Sequence, residues 1–163
     1  MNLDDGQRIK QLDPQNMLAE IDGLPDQLEK AWALGMSQKL DGFTGVRRVL
    51  IAGMGGSAIG GDIVSTYVAE RIETPVFVHR NYGLPAWARG PETLVIASSH
   101  SGNTEETLST FDEALDADCR LMAITTGGQL AERAAAAGVP IWRFDHAGQP
   151  RAAVGFSFGL LLA

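Results

Sequence analysis

The chain has 163 residues, of which 45% are hydrophobic and 7% aromatic, and this length suits a single domain. Its formal net charge of -7 indicates that it lacks the basic surface of a nucleic-acid-binding protein. Cys119 is the single cysteine, which excludes an intrachain disulfide and favours a reducing, cytoplasmic location. No apolar run approaches the roughly 20 residues of a membrane helix, so we expect no membrane partner.

The first predicted elements are helices. Asp13 and Pro14 form an N-cap followed by a proline at the first helical position, and Gly23 is a plausible stop. Pro25 opens a second helix that ends around Gly42. One face of that helix carries Leu28, Ala31, Trp32 and Met36. Residues 1–45 are thus predicted to form an N-terminal helical segment that packs on a sheet formed by residues 46–163.

The stretch from Arg48 to Asp62 organises the rest of the chain. Its first part, residues 49–52, is a continuous apolar run, typical of a strand buried on both faces of a parallel sheet. Three glycines follow at positions 53, 55 and 56, where the backbone can turn sharply and come close to a ligand. A helix is predicted from Ser57 to Ala69, and its N-terminus favours anions.

The same unit of apolar strand, Gly/Ser/Thr loop and helix recurs along the chain. We predict strands at Pro75 to His79, Leu94 to Ala97, Leu121 to Ile124 and Ile141 to Phe144, and turns at 82–91. Helices are predicted where Leu108, Phe111 and Leu115 have helical spacing, after Gly128 as far as Ala137, and from about Ala152. Alternation of this kind predicts an α/β fold with a five-stranded parallel sheet flanked by helices on both faces, of the flavodoxin-like type. Ligands bind such sheets at the carboxyl ends of the strands.

The first glycine loop is open to several interpretations. Gly53, Gly55 and Ala58 match the dinucleotide pattern G-x-G-x-x-G/A, yet the second strand ends without the acidic residue that would bind the ribose. Arg80 could meet a 2′-phosphate, so NADP stays as an alternative. A nucleophile elbow is excluded because Ile59 occupies the position of its second glycine. The lysine of a Walker A loop is missing too.

The loop after the third strand indicates a phosphate site more directly. Ser98, Ser99, Ser101 and Thr104 place four hydroxyls around Gly102 at the start of a helix. Neutral donors beside free backbone N–H groups suit a phosphate monoester. The alternative is that these hydroxyls only cap the helix, although a cap needs one hydroxyl. Glu105 and Glu106 fall in the first helical turn, where carboxylates complement the helix dipole.

Three motifs, GMGGSAIGGD, SHSGNTEETL and GQPRAAVG, occur in this order and spacing. Together they resemble the bifunctional phosphoglucose/phosphomannose isomerases of the sugar isomerase (SIS) domain superfamily. The resemblance implies that residues 46–163 are one phosphosugar-binding SIS domain, without the second SIS domain of that family. It further implies roles for individual residues: substrate binding by Gly55, Gly56, Ser57, Ser99, Ser101 and Thr104, and catalysis by Arg151. At position 100, a histidine replaces the aromatic residue of many relatives.

The implied reaction interconverts glucose 6-phosphate or mannose 6-phosphate with fructose 6-phosphate, without metal or cofactor. Arg151 suits the developing enediolate charge, unless it pairs with Asp145 or caps a helix. The resemblance places the glutamate base, the ring-opening histidine and a lysine in the second half of the family's chain. Glu105 and Glu106 could substitute as base but are more often dipole partners, and His79 and His146 are more often structural.

Two hypotheses therefore remain open. The chain is either an isomerase, or the N-terminal half of one, or a noncatalytic SIS module that senses a phosphosugar. The missing base favours the second and the segment around Arg151 favours the first.

The closing segment, Ala152 to Ala163, is uncharged and apolar on every side. A helix apolar all round must be buried, and one sheet covers only one of its faces. We therefore predict a homodimer whose interface includes Phe156, Phe158 or Leu160. The alternative is that the N-terminal helices fold over this segment.

Overall fold

The computed structural model describes residues 4–163 and has a five-stranded, wholly parallel sheet at its centre, with strand order β2-β1-β3-β4-β5. The strands are β1 (Arg48–Ala52), β2 (Val76–His79), β3 (Thr93–Ser99), β4 (Arg120–Thr125) and β5 (Ile141–Arg143). All five predicted strands are confirmed within one or two residues at their ends. The strand order is the flavodoxin-like order, so the predicted fold class is confirmed.

Helices cover both faces of the sheet. They are α1 (Gly6–Leu12), α2 (Met17–Asp22), α3 (Leu24–Met36), α4 (Gly55–Val68), α5 (Glu105–Asp116), α6 (Gly128–Ala136) and α7 (Val154–Leu162), with a 3-10 turn at Pro150–Ala152. Helices α5 and α6 bury residues such as Phe111 and Leu130 against one face. Helices α3 and α7 bury Ala31, Phe156 and Leu160 against the other. The two cores form because successive side chains of a strand point to opposite faces.

The N-terminal segment differs from its prediction in several respects. Helix α1 was not predicted. The carboxylate of Asp13 does cap α2, but as an acceptor for the N–H groups of Met17 (2.8 Å) and Leu18 (2.9 Å), with Asn16 at the N-cap position. Helix α3 begins one residue before Pro25 and ends at Met36, well short of Gly42.

The buried face of α3 agrees with the predicted one only at Ala31. It consists of Gln27, Ala31 and Gly35, whereas Leu28, Trp32 and Met36 are exposed. The reason is the close approach of α7. A Cβ on Gly159 would lie 2.6 Å from that of Ala31, and one on Gly35 would overlap Ala163. Small residues allow two helices to pack this closely, which large apolar side chains would prevent.

Helix α7 is enclosed by its own chain. On its other side it meets α4, where a Cβ on Gly60 would lie 2.6 Å from that of Ser157. Phe156 is 7% exposed and Leu160 is 1% exposed, while Phe158 is half-buried. The N-terminal helix α3 thus covers the segment, as the alternative interpretation had it. Phe156 and Leu160 are therefore buried within the monomer, and Phe158 is the one of the three predicted interface residues that stays partly exposed.

No helix within residues 4–163 combines the length and the apolar character needed to cross a bilayer.

The contact between α3 and α7 yields a stability prediction. Gly159→Ala places a methyl group 2.6 Å from the Cβ of Ala31, and overpacking of this kind costs about 1–3 kcal/mol. The loss should exceed the roughly 0.5–1 kcal/mol that alanine gains in helix propensity. Gly6→Ala in α1 is the matched control, because a Cβ there meets nothing within 4 Å. Urea unfolding curves that show equal stability for Gly159→Ala and the parent chain would contradict this packing.

Candidate functional site

A cavity of about 220 Å³ lies at the carboxyl ends of β1 and β3, which are neighbours in the sheet. The helices that follow these two strands, α4 and α5, pack on opposite faces of the sheet, so the cavity lies at the topological switch point where ligands bind in such folds. Its lining residues are Met54, Gly55, Gly56, Ser57, His100, Ser101, Thr104 and Pro150. Five of the seven predicted site residues therefore come together here: Gly55, Gly56, Ser57, Ser101 and Thr104.

The N-terminus of α4 opens into this cavity. Gly55 begins the helix with a positive φ of 50°, and the side chain of the N-cap residue Met54 makes no capping hydrogen bond. Within residues 4–163, no hydrogen bond engages the N–H groups of Gly55 and Gly56, while Ser57 N donates to Met54 O at 3.1 Å. Two unpaired amides at the positive end of a 14-residue helix suit an anion.

The hydroxyls of the loop after β3 have two different roles. Ser99 is 2% exposed, and its Oγ accepts from Gly102 N (3.1 Å) and bonds with Thr104 Oγ1 (2.9 Å). It therefore holds the loop from behind and does not line the cavity. Ser101 is exposed, and its Oγ accepts from Asn103 N at 3.2 Å, which leaves its proton for a ligand. Thr104 occupies the N-cap of α5 without making a capping bond, so capping alone does not account for these hydroxyls.

The loop after β4 supports the loop after β3 and does not itself line the cavity. Gly102 has a φ of 68°, and a Cβ there would overlap the carbonyl oxygen of Gly127. Leu130 N donates to Gly102 O at 2.9 Å, and the Thr126 hydroxyl donates to His100 O at 2.7 Å. The loop after β4 therefore fixes the conformation of the loop after β3, where the phosphate is predicted to bind.

Arg151 lies beside the cavity but not in its lining. Arg151 is exposed and belongs to the 3-10 turn whose first residue, Pro150, does line the cavity. The Cα of Arg151 is 3.7 Å from where a Cβ of Gly56 would be. Among the residues that the structure describes, no carboxylate is within ion-pair distance of its guanidinium. The alternative of a pair with Asp145 is therefore not observed, and the cation is available to a ligand.

The N-terminal helices hold this turn in place, which the sequence analysis missed. Gln27 of α3 is buried and donates from Nε2 to Ala152 O at 2.9 Å. Glu20 of α2 accepts from Gln149 N at 3.1 Å. These partners are more than a hundred positions apart along the chain, so no local pattern could have indicated them.

Two histidines meet at the cavity. His100 Nε2 lies 2.9 Å from His146 Nδ1, and the His100 ring also meets the edge of Phe144. Burial lowers the pKa of His100, and the neighbouring His146 lowers it further, which favours the neutral imidazole. His146 does not itself line the cavity and contacts it only through His100. His79 is elsewhere and is bonded through Nε2 to Gly83 O (3.0 Å).

Carboxylates do not line the cavity. Glu105 and Glu106 lie in the first turn of α5 as predicted, and Glu105 Oε2 accepts from the Tyr82 hydroxyl at 3.0 Å, which raises the pKa of Tyr82. Arg80, the residue kept for a 2′-phosphate, is paired with Asp62. Within residues 4–163, no group of three or more His, Cys, Asp or Glu side chains could hold a metal ion.

Comparison with known proteins identifies relatives, although no family model matches the chain. It is 43% identical over 147 residues to the bifunctional phosphoglucose/phosphomannose isomerase of Caldicellulosiruptor bescii, across 90% of this chain and 43% of that protein. Its identity to the enzyme of the same name from Thermoplasma acidophilum is 44% over 108 residues, 66% of this chain and 32% of the relative. The structure of tagatose-6-phosphate ketose/aldose isomerase from Escherichia coli superposes with a TM-score of 0.65 at 20% identity, covering 88% of this chain and 45% of that one. The chain thus spans less than half the length of each.

Proposed function

Since the chain is homologous to the bifunctional phosphoglucose/phosphomannose isomerases, we propose that it binds the phosphate of a hexose 6-phosphate for an aldose–ketose isomerase. The reaction interconverts glucose 6-phosphate or mannose 6-phosphate with fructose 6-phosphate. One observation carries the proposal: the hydroxyls of Ser101 and Thr104 and the first amides of α4 converge on a single cavity. That arrangement is suited to a phosphate monoester.

Electrostatics supports an anion in this cavity despite the acidic net charge of -7. The N-terminal ends of α4 and α5 both point to it, and each carries a partial positive charge. A hydrogen bond to a charged group contributes about 1.5–3 kcal/mol, so a few such bonds account for most of the affinity for a sugar phosphate. The backbone of Arg151 passes next to Gly56 at the side of the cavity, and its permanent positive charge adds to the attraction for an anion.

In this proposal Arg151 stabilises the enediolate that forms when a proton moves between C1 and C2. Its guanidinium is permanently charged and has no carboxylate partner among the described residues. The base for that proton transfer is assigned to a second SIS domain, as the resemblance implies, because no carboxylate of residues 4–163 lines the cavity. The same absence favours the second candidate function, a noncatalytic module that senses a phosphosugar.

The remaining parts of the proposal concern organisation and location. Residues 46–163 form the phosphosugar-binding domain, and the segment before them holds the turn of Arg151 in place through Glu20 and Gln27.

A reducing cytoplasm is supported by the single cysteine, Cys119, whose thiol is half-buried. Burial raises the pKa of that thiol, which favours its protonated form.

The phosphate assignment predicts the effect of removing one hydroxyl. Ser101→Ala should weaken fructose 6-phosphate binding about 10-fold to 100-fold, because a hydrogen bond to a charged group contributes about 1.5–3 kcal/mol. Ser37→Ala is the matched control, since that serine is exposed and its hydroxyl bonds only to Leu34 O and Gln38 Nε2, at the C-terminal end of α3 and away from the cavity. Calorimetry that returns the same dissociation constant for Ser101→Ala and the parent chain would remove Ser101 from the site.

Self-association through α7 is also proposed, on a surface that includes Leu160 of the predicted interface residues. An apolar cavity of about 310 Å³ opens beside the last turn of α7 on one face of the sheet. Its walls include Phe43, Trp142 and Leu162, and an open apolar surface of this kind favours association. Two copies related by a two-fold axis would cover it. We expect a dimer by light scattering at roughly 50 μM, and conversion to monomer by Leu162→Asp; a monomeric parent chain would contradict the proposal.

A further inference from the structure

The two histidines that meet at the cavity have no role in the function proposed so far. His100 lines the cavity and is half-buried, and its Nε2 lies 2.9 Å from Nδ1 of His146. At this distance the two nitrogens share one proton, since a hydrogen bond between imidazoles needs one donor and one acceptor. The outer nitrogens, Nδ1 of His100 and Nε2 of His146, make no hydrogen bond within residues 4–163. Either can gain a proton without breaking the bond between the rings.

The number of protons on this histidine pair decides its charge and its hydrogen-bonding capacity. Two neutral imidazoles carry two N–H protons, so one lies between the rings and one outer nitrogen is bare. A third proton gives the pair a single positive charge, keeps the bond between the rings and makes both outer nitrogens donors, whichever tautomer the neutral pair adopts. A fourth proton would leave two cations facing each other without an acceptor. The pair can therefore take up one proton readily and a second only at a large electrostatic cost.

The pair lies next to the two loops assigned to the phosphate. His100 directly precedes Ser101, and the cavity that it lines is also lined by Gly55, Gly56 and Thr104. A positive charge on the pair therefore attracts an anion held by these residues even without a direct contact. Conversely, a bound dianion stabilises the charged form of the pair. Without an anion, burial and the second imidazole lower the pKa of His100, which favours the neutral form.

The surroundings of the pair hold no other group that would take this proton. Aromatic rings from the segment after β5 and from α7 contact the two imidazoles. Five charged residues lie within six positions of either histidine in the chain: Arg143, Asp145, Arg151, Glu105 and Glu106. None of the five lines the cavity, and none contributes to the lowered pKa of His100. Among the described residues, His146 is the only ionisable partner of His100.

We propose that the His100–His146 pair belongs to the anion site and takes up one proton when a phosphate dianion binds there. The inference rests on the proposed function, since it takes the phosphate to lie against Ser101 and Thr104. It goes beyond that function by adding a positive charge that neither loop supplies and by making the affinity depend on pH. The site thereby favours doubly charged anions, because a ligand of smaller charge stabilises the protonated pair less.

The sign of the pH dependence follows from linkage. Because the complex holds more protons on the pair than the free chain does, affinity rises as the pH falls through the pKa of the pair in the complex. Near pH 6 the ligand itself begins to lose its second charge, which opposes the gain. We expect fructose 6-phosphate to bind the parent chain about 5-fold more tightly at about pH 6.5 than at about pH 8. Without the pair, the affinity should stay level or fall over this interval.

Calorimetry counts the proton directly. The observed heat of binding varies with the ionisation enthalpy of the buffer, and the slope gives the number of protons taken up. With fructose 6-phosphate at about pH 7, in buffers free of phosphate and sulfate, the parent chain should take up about half a proton more than His100→Phe. The ligand's own titration is the same in both experiments and cancels. Phenylalanine keeps an aromatic ring at position 100 and leaves the hydroxyls of Ser101 and Thr104 in place.

Further measurements separate the pair from a single histidine. His146→Phe keeps a ring but removes the shared, charge-assisted hydrogen bond, so its proton uptake should fall below about half that of the parent chain. His79→Gln is the control, because His79 is bonded to Gly83 O and does not line the cavity; its uptake should equal that of the parent. NMR titration of the His100 ring in the parent chain needs no variant. Its midpoint should move to higher pH when the chain is saturated with fructose 6-phosphate.

The possible outcomes distinguish this inference from the proposed function. If the parent chain does not bind fructose 6-phosphate, both fail. If it binds but takes up no more protons than His100→Phe, or if the titration midpoint of His100 does not move with the ligand, proton uptake is overturned and the proposed function stands. If His146→Phe takes up as many protons as the parent chain, His100 acts alone and the shared proton is overturned.

Discussion

The close approach of the loop after β1 to its neighbours is the constraint on which the candidate site depends. A Cβ on Gly53 would lie 2.8 Å from Ser98 O, at the end of β3, and one on Gly56 would lie 2.9 Å from Pro150 O. Both contacts are too short for any side chain, so glycine is required for packing as well as for turning. This approach brings the N-terminus of α4, the hydroxyl loop after β3 and the turn of Arg151 around one cavity.

Distant parts of the chain keep that arrangement in place. The loop after β4 supports the hydroxyl loop through Gly127 and Leu130, and the N-terminal helices hold the Arg151 turn through Glu20 and Gln27. Small residues at the α3–α7 contact allow the N-terminal helices to pack close enough to make these hydrogen bonds. The residues that would touch a ligand are few and local, whereas the residues that position them are spread over the whole fold. Substitutions far from the cavity can therefore alter binding without changing any ligand contact.

The sheet was predictable from sequence because buried parallel strands appear as apolar runs such as residues 49–52, whatever their partners are. The grouping of glycines and hydroxyls at one edge followed from the same topology. What could not be predicted depends on contacts between distant positions. The Ser99 hydroxyl bonds with Thr104 inside the loop. Helix α3 leaves Trp32 exposed, although it buries Ala31 of the same predicted face, because Gly159 of α7 lies opposite. His146 contacts the site only through His100.

The central claim is that the amides of α4 and the loop after β3 bind one phosphate together. Titration of the isotope-labelled chain with fructose 6-phosphate, followed by amide proton–nitrogen NMR, tests it most directly. The account predicts saturable shifts that are largest at Gly55, Gly56 and residues 101–104, with one common dissociation constant, because the two helix ends contact the same anion. Shifts confined to only one of these two loops, or centred on the groove between α5 and α6 that is lined by Asp112 and Arg133, would contradict it.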